Sequence, residues 1–199
     1  MHLSLSNLNI RGIIHIGAHE CEELDHYQQV VPNSRIIWIE ANPIKVQEMK
    51  EKNPSLNIFS GLISHIDNHL IPFYLTNNTS SSSCVPLQDH LTLYPDVTVQ
   101  KTLMLLTKTL NTFVYDEAIA ISDFNFLTLI TQGSEYNILK GAQTILPHID
   151  YIYTKFYTCE VYEGAPTLEM LTQLLQSFKP VEVNLIEPSW GYVLFFKGI

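Results

Sequence analysis

The chain has 199 residues and a formal charge of −9, from 11 Lys and Arg against 20 Asp and Glu, and 46% of it is hydrophobic. Its length suits a single domain, residues 1–199, built on one sizeable core. The acidic balance and the lack of any Lys or Arg run argue against a nucleic-acid partner, whose phosphates are neutralised by basic side chains. Three cysteines, Cys21, Cys84 and Cys159, show no paired spacing and suit reduced thiols in a cytoplasmic setting. The opening MHLSLSNLN lacks a basic start and a long apolar core, and no apolar run approaches the ~20 residues of a membrane span, so no signal peptide and no membrane partner are expected.

The first predicted element is a short buried strand over 12–16, ended by Gly17, where a side chain would block a close ligand. Small Ala18 keeps that wall low. Glu22 and Glu23 then open a helix expected to reach residue 30, with its acids in the first turn where the helix dipole favours them. A second strand over 36–39 ends at Glu40, 23 residues after Gly17. In doubly wound sheets an acid at about that separation, ~20 residues, accepts hydrogen bonds from ribose hydroxyls.

The loop is not a GxGxxG loop, since Ala18, His19, Glu20 and Cys21 follow Gly17. A pyrophosphate prefers a glycine-lined helix N-terminus, and Glu20, Glu22 and Glu23 would repel it. S-adenosylmethionine carries adenosine without phosphate, plus a sulfonium, and fits this strand, loop and acid better than a nicotinamide dinucleotide does.

A helix over 44–52 follows, stopped by Asn53 and Pro54, then a strand near 56–59. Residues 62–75 read as an extension or hairpin broken by Asp67, Asn68 and His69. The tract TNNTSSSSC, residues 76–84, has a linker's composition, but no compositional shift flanks it and a functional loop inside one domain accounts for it better. Next come a strand over 97–106, a short helix over 110–117, a buried strand over 126–130 and a helix over 134–146. The last third reads strand 151–157, helix 167–178, strand 181–186 and strand 191–197. Strands alternating with helices imply a mostly parallel sheet with helices on both faces. The final two strands are joined by too short a segment for a parallel crossover and must form an antiparallel hairpin. That outline is a Rossmann-like α/β fold of the class I methyltransferase kind.

With these segments in order, the chain resembles the FkbM-type methyltransferases over residues 11–197. The resemblance rests on HIGAHECEE, then IIWIEANP at 36–43, TNNTSSSS, TLN at 109–111, QGSEYNILKGA at 132–142 and HIDYIYTKFYTCEVYEGAPT at 148–167. It implies methyl transfer from S-adenosylmethionine to a hydroxyl, often on a sugar or a polyketide-like acceptor. Gly17, Ala18 and His19 would border the methionine part of the cofactor, Glu40 and Ala41 its ribose, and Ser82 and Ser83 would close over the site. The turn from Gln132 to Glu135 would lie at the ligand-binding edge of the sheet.

Four acidic positions of the family pattern are changed. Its turn usually reads DIQGAE or DVEGAE, where this chain begins with Ile130 and Thr131; its TLDD appears here with Asn111; a Glu after IYT is Lys155; and WGDAL is WGYVL, with Tyr192. A metal held by carboxylate oxygens would not survive Ile130 and Lys155 as ligands, so no metal is expected.

Transfer to a hydroxyl needs the acceptor oxygen in line with the methyl group and a base to take its proton. Glu135 is the acid remaining in the family turn, and is the candidate base unless it only complements its helix N-terminus. His19 is first a cofactor contact and second a base; His15, inside its strand, reads as structural. Tyr153, Lys155 and Tyr157 alternate on one strand face, so Gln132, Lys155 and Tyr157 are expected to bind the acceptor if that face borders the cavity. Two readings follow: a metal-independent O-methyltransferase acting on a sugar or other small-molecule hydroxyl, or a catalytically silent module that keeps the fold and the cofactor pocket. For either, Glu40→Ala is expected to weaken cofactor binding ten-fold to over a hundred-fold, from ~1.5–3 kcal/mol of lost hydrogen bonding, with the fold intact.

Overall fold

The computed structural model describes residues 3–198. In chain order its strands are β1 (Ile13–Ile16), β2 (Ile36–Glu40), β3 (Ile58–Ser60), β4 (Leu62–Ser64), β5 (Leu70–Thr76), β6 (Val99–Thr109), β7 (Phe126–Leu129), β8 (Tyr151–Tyr157), β9 (Lys179–Glu187) and β10 (Trp190–Phe196). The helices are α1 (Leu24–Tyr27), α2 (Pro43–Lys52), α3 (His90–Leu93), α4 (Leu110–Asp116), α5 (Glu135–Lys140) and α6 (Leu168–Leu174). Seven strands form one sheet in the order β3-β2-β1-β7-β8-β10-β9. The first five are mutually parallel, and β10 runs antiparallel to both β8 and β9. The expected parallel sheet with a closing hairpin is what forms.

The central strands are short and buried on both faces, which is why they read as continuous apolar runs. Their period of two sorts side chains into two cores. Ile14, Ile16, Ile37, Ile39, Leu127 and Leu129 face the layer of α4, α5 and α6, packing on Phe113, Ile138 and Leu171. Ile13, Ile36, Trp38, Phe126 and Tyr153 face the opposite layer, packing on Tyr27 of α1 and on Val46 and Met49 of α2. A second, three-stranded sheet, β4-β6-β5, packs by β4 against α5 and carries the polar loop after β5. Among the described residues no helix is long and apolar enough to cross a membrane.

Three helices are shorter than their sequence pattern suggests: α6 stops at Leu174 rather than at the expected residue 178, and the other two are cut short for local reasons. The helix expected over 22–30 is only α1, because His19 and Cys21 take left-handed backbone angles, φ 44° and 56°, and the chain turns twice before it can coil. The helix expected over 134–146 is α5, ending at Gly141. There the backbone of β4 comes so close that a Cβ would lie 2.2 Å from the Ser64 carbonyl oxygen.

Trp38 is fully buried, with its ring 5.3 Å from that of Tyr27 and 4.9 Å from that of His15. Trp38→Ala removes the largest side chain of its layer and is expected to cost about 3–5 kcal/mol, read as a lowered denaturation midpoint with an unchanged urea slope.

Candidate active site and cofactor cleft

The site forms where the strand order reverses direction, between β1 and β7, the place at which doubly wound sheets open a crevice. Gly17 leaves β1 with φ +85°, and a Cβ on it would stand 2.1 Å from the Ile130 carbonyl oxygen. Only glycine lets the loop after β1 pass so close to the end of β7. The amides of Gly17 and Ala18 donate to the Ile39 carbonyl oxygen, at 2.9 and 3.1 Å, which ties the same loop to β2.

Glu40 completes that tie. Its Oε2 accepts the His19 amide and its Oε1 the Asn42 amide, each at 2.8 Å. Burial pushes its carboxyl up, against the pull of those main-chain donors. A carboxylate has about four acceptor positions, so these amides leave room for a ligand hydroxyl. Glu40 lines a narrow cleft of about 50 Å³ together with Gly17, Ala41, Ile63, Phe73 and Ser82. An acid among apolar side chains gives this cleft both a polar and an apolar lining.

The polar tract after β5 lies over this cleft. Ser82 Oγ accepts the Thr76 amide at 3.2 Å, and the Tyr162 hydroxyl donates to the Ser81 carbonyl oxygen at 3.2 Å. His19 spans the gap: its imidazole meets Glu22 Oε1 at 2.5 Å and Thr79 Oγ1 at 2.8 Å. The hydrogen bond to Glu22 holds the His19 pKa above its ordinary value.

A larger cavity of about 420 Å³ adjoins the cleft and shares Gly17, His19, Ser80, Ile130 and Gln132 with it. Its far wall is aromatic and comes from the hairpin. The register sets Trp190 opposite Tyr157 and Tyr192 opposite Lys155. Lys155 is buried, its Nζ 3.0 Å from Gln132 Oε1 and 4.0 Å from the centroid of the Trp190 ring. Burial draws its pKa down to about 8. His15, His90 and Tyr157 also line this cavity, and each carries a buried polar atom (Nε2, Nδ1 and Oη) without a hydrogen-bond partner among the described residues.

Three of the expected site residues stand elsewhere. Glu135 is fully buried and lines neither cavity; its two oxygens accept the Thr131 and Gly133 amides at 2.9 Å each. It braces the turn in which Gln132 and Gly133 take φ of 57° and 101°, and it is not positioned to take a substrate proton. Ala18 points into the core beside Tyr27, because the left-handed turn at Gly17 rotates it away from the cleft. Ser83 is buried and donates to the Gln132 carbonyl oxygen at 2.7 Å, a strut rather than a cleft wall.

Gly17, His19, Glu40, Ala41 and Ser82 meet at the cleft, and Gln132, Lys155 and Tyr157 at the larger cavity. Of the four changed acidic positions, Ile130, Lys155 and Tyr192 line that cavity, whereas Asn111 stands apart and accepts the Thr144 amide. His90, Tyr94, Tyr162, Glu187 and Trp190 belong to the cavity too and went unread in the sequence. The aromatic WGY of the hairpin was the one available signal.

A seven-stranded sheet with this order, a glycine turn after β1 and an acid as the last residue of β2 define a class I S-adenosylmethionine-dependent methyltransferase fold. The family model "Methyltransferase FkbM domain" matches residues 15–194, and the chain belongs to that family. Among curated proteins it is 24% identical over 179 residues to "2-O-methyltransferase NoeI" of Sinorhizobium fredii, covering 85% of this chain and 72% of that protein. Among solved structures it is similar to N-methyltransferase NodS from Bradyrhizobium japonicum WM9, with a TM-score of 0.51, 10% identity, and coverage of 98% of this chain and 90% of that one. It is also similar to TrmK of M. capricolum in complex with S-adenosyl-homocysteine, with a TM-score of 0.50, 11% identity, and coverage of 94% and 62%.

Glu40→Ala strips two main-chain amides of their acceptor, so the fold is not spared as the sequence alone suggests. Each orphaned amide is expected to cost about 1–3 kcal/mol, and Glu40→Gln, which keeps one acceptor oxygen, should melt between Glu40→Ala and the parent while binding S-adenosylhomocysteine more weakly than the parent.

The His19 clamp carries a sign. A pKa raised in the folded state contributes stability that is complete below the unfolded value and is lost as pH rises through the folded one. The Tm advantage of the parent over His19→Gln is therefore expected to be largest near pH 6 and to shrink by about pH 9.

Proposed function

We propose that this chain is an O-methyltransferase that methylates a hydroxyl of a sugar or similar polyhydroxylated small molecule, without a metal. The observation that carries the reading is the larger cavity, where aromatic faces stand among buried polar atoms left unpaired. Sugar rings present apolar faces to aromatic side chains and hydroxyls to polar groups, whereas a wholly apolar acceptor would leave His15 Nε2, His90 Nδ1 and Tyr157 Oη unsatisfied at a cost. The weak relative named a 2-O-methyltransferase supports transfer to oxygen.

When bound, S-adenosylmethionine supplies an electrophilic methyl group on a sulfonium. Glu40 and Ala41 would hold its ribose, and Gly17, His19 and Ser82 would border it. Gln132, Lys155 and Tyr157 would orient the acceptor on the opposite side of the shared wall, while the Ser81–Tyr162 bond ties the polar loop to the cavity wall. The metal-free reading is supported by the donor set, since Ile130 and Lys155 supply no carboxylate oxygen and, among the described residues, no group of three or more His, Cys, Asp or Glu side chains is arranged to hold an ion. A cytoplasmic location is supported by three free thiols.

Incubation with labelled S-adenosylmethionine and a panel of sugar nucleotides and glycans is expected to yield a methyl ether whose formation survives chelator. Strict dependence on added divalent metal would refute the metal-free reading. Tight cofactor binding by calorimetry with no product on any acceptor would instead identify a silent module.

A further inference from the structure

With Glu135 turned onto the backbone, the cavity needs another group to receive the hydroxyl proton. Seven titratable candidates of basic or acidic type line it: His15, His19, Glu22, Glu23, His90, Glu187 and Lys155. His19 has both ring nitrogens engaged. Glu187 accepts the Tyr94 hydroxyl. His15 holds the Tyr27 hydroxyl through Nδ1 in the core, both oxygens of Glu22 are taken by the His19 ring and the Glu20 amide, and Glu23 and His90 line the larger cavity with no side-chain hydrogen bond to the shared wall among the described residues. Lys155 also lines only that cavity, but its Nζ is hydrogen-bonded to Gln132, a residue of the wall shared with the cofactor cleft. That bond sets the amine beside the junction at which acceptor and methyl group must meet.

We propose that Lys155 is the catalytic base, its uncharged amine taking the proton of the acceptor hydroxyl during methyl transfer. The inference rests on the methyl-transfer reading above and assigns it a proton acceptor. In the step, the hydroxyl oxygen forms the new O–C bond as the C–S bond breaks with its electron pair going to sulfur. The O–H pair stays on oxygen, and the proton passes to the lone pair of Nζ. The neutral acceptor becomes a methyl ether and the amine an ammonium.

The surroundings suit both protonation states. Burial among aromatic rings lowers the pKa of the amine to about 8, so a useful fraction is uncharged near neutral pH. The charged groups facing it are Glu135 from α5 and Glu187 from β9, which favour the ammonium, and His90 from α3, with Tyr157 on its own strand β8 and Tyr192 on β10. The face of Trp190, 4.0 Å away, stabilises the ammonium once formed. Its hydrogen bond goes to the neutral amide of Gln132, so the nitrogen is oriented without being fixed as a cation. An anionic acceptor held by Lys155 as a counter-ion fits less well, because Glu22, Glu23 and Glu187 share the cavity.

Two measurements test this. On an acceptor that the parent methylates, kcat/KM is expected to rise with pH through about 8 and level off. Lys155→Gln should lose that limb and about 10²–10⁴-fold in kcat, hold S-adenosylhomocysteine within a few fold, and regain turnover with added methylamine or ethylamine. In the cofactor-free protein, the Lys155 side-chain carbon resonance, assigned by its loss in Lys155→Arg, should titrate near 8. Turnover retained in Lys155→Arg, activity that falls as pH rises through this range, or a Lys155 that titrates with the other lysines overturns the base assignment alone. No turnover of any acceptor by the parent overturns the methyl-transfer reading, and the base with it.

Discussion

Buried carboxylates accepting main-chain amides hold the two loops on which the site depends. Glu40 gathers the amides of His19 and Asn42 and so joins the loop after β1 to the start of α2. Glu135 gathers those of Thr131 and Gly133 and fixes the turn after β7. Burial raises both carboxyl groups against these donors, an opposition between desolvation and hydrogen bonding that is met only when each amide is in place. Both loops leave strands at the sheet's reversal point, so their shape sets the width of the cleft.

The other wall comes from the reversed end of the sheet. Had β10 run parallel to β8, a crossover would have stood between them. Because it returns antiparallel, Trp190 and Tyr192 lie directly opposite Tyr157 and Lys155, and cross-strand neighbours of this kind pack closely. The stacked pair Tyr153 and Tyr192, with ring centroids 5.1 Å apart, roots that wall in the core below. A lysine among such rings is desolvated yet keeps a hydrogen bond, which gives it chemistry that an exposed lysine lacks.

Between the walls lies a loop held by different means. Around residues 79–82 the bonds to the rest of the domain run through side chains, from His19 to Thr79, Tyr162 to Ser81 and Ser82 to Thr76. Ser83, by contrast, pairs with Tyr74 through the main chain and with Gln132 through its hydroxyl. The segment over the cleft is thus tied down by side chains, whereas Ser83 is held by the main chain as well.

The sequence by itself determined the alternation of strands and helices, the closing hairpin, the glycine after β1, the acid at the end of β2 and the family, because apolar periodicity, turn residues and ordered motifs are local properties of the chain. It also put Lys155 and Tyr157 on one strand face, since a strand's period of two is local as well. Only the tertiary structure decided that Glu135 turns back onto the amides of its own turn, that Ala18 faces the core and that Ser83 is a strut on Gln132, because backbone path and burial, not residue type, choose between these roles. The short α1 and α5 have the same origin: left-handed turns at His19 and Cys21, and the close approach of Gly141 to Ser64, are fixed by packing that no window of sequence contains. His90, Tyr94 and Glu187 were illegible for that reason, since α3 with its C-cap and β9 are far apart in the chain and meet only when the domain is assembled.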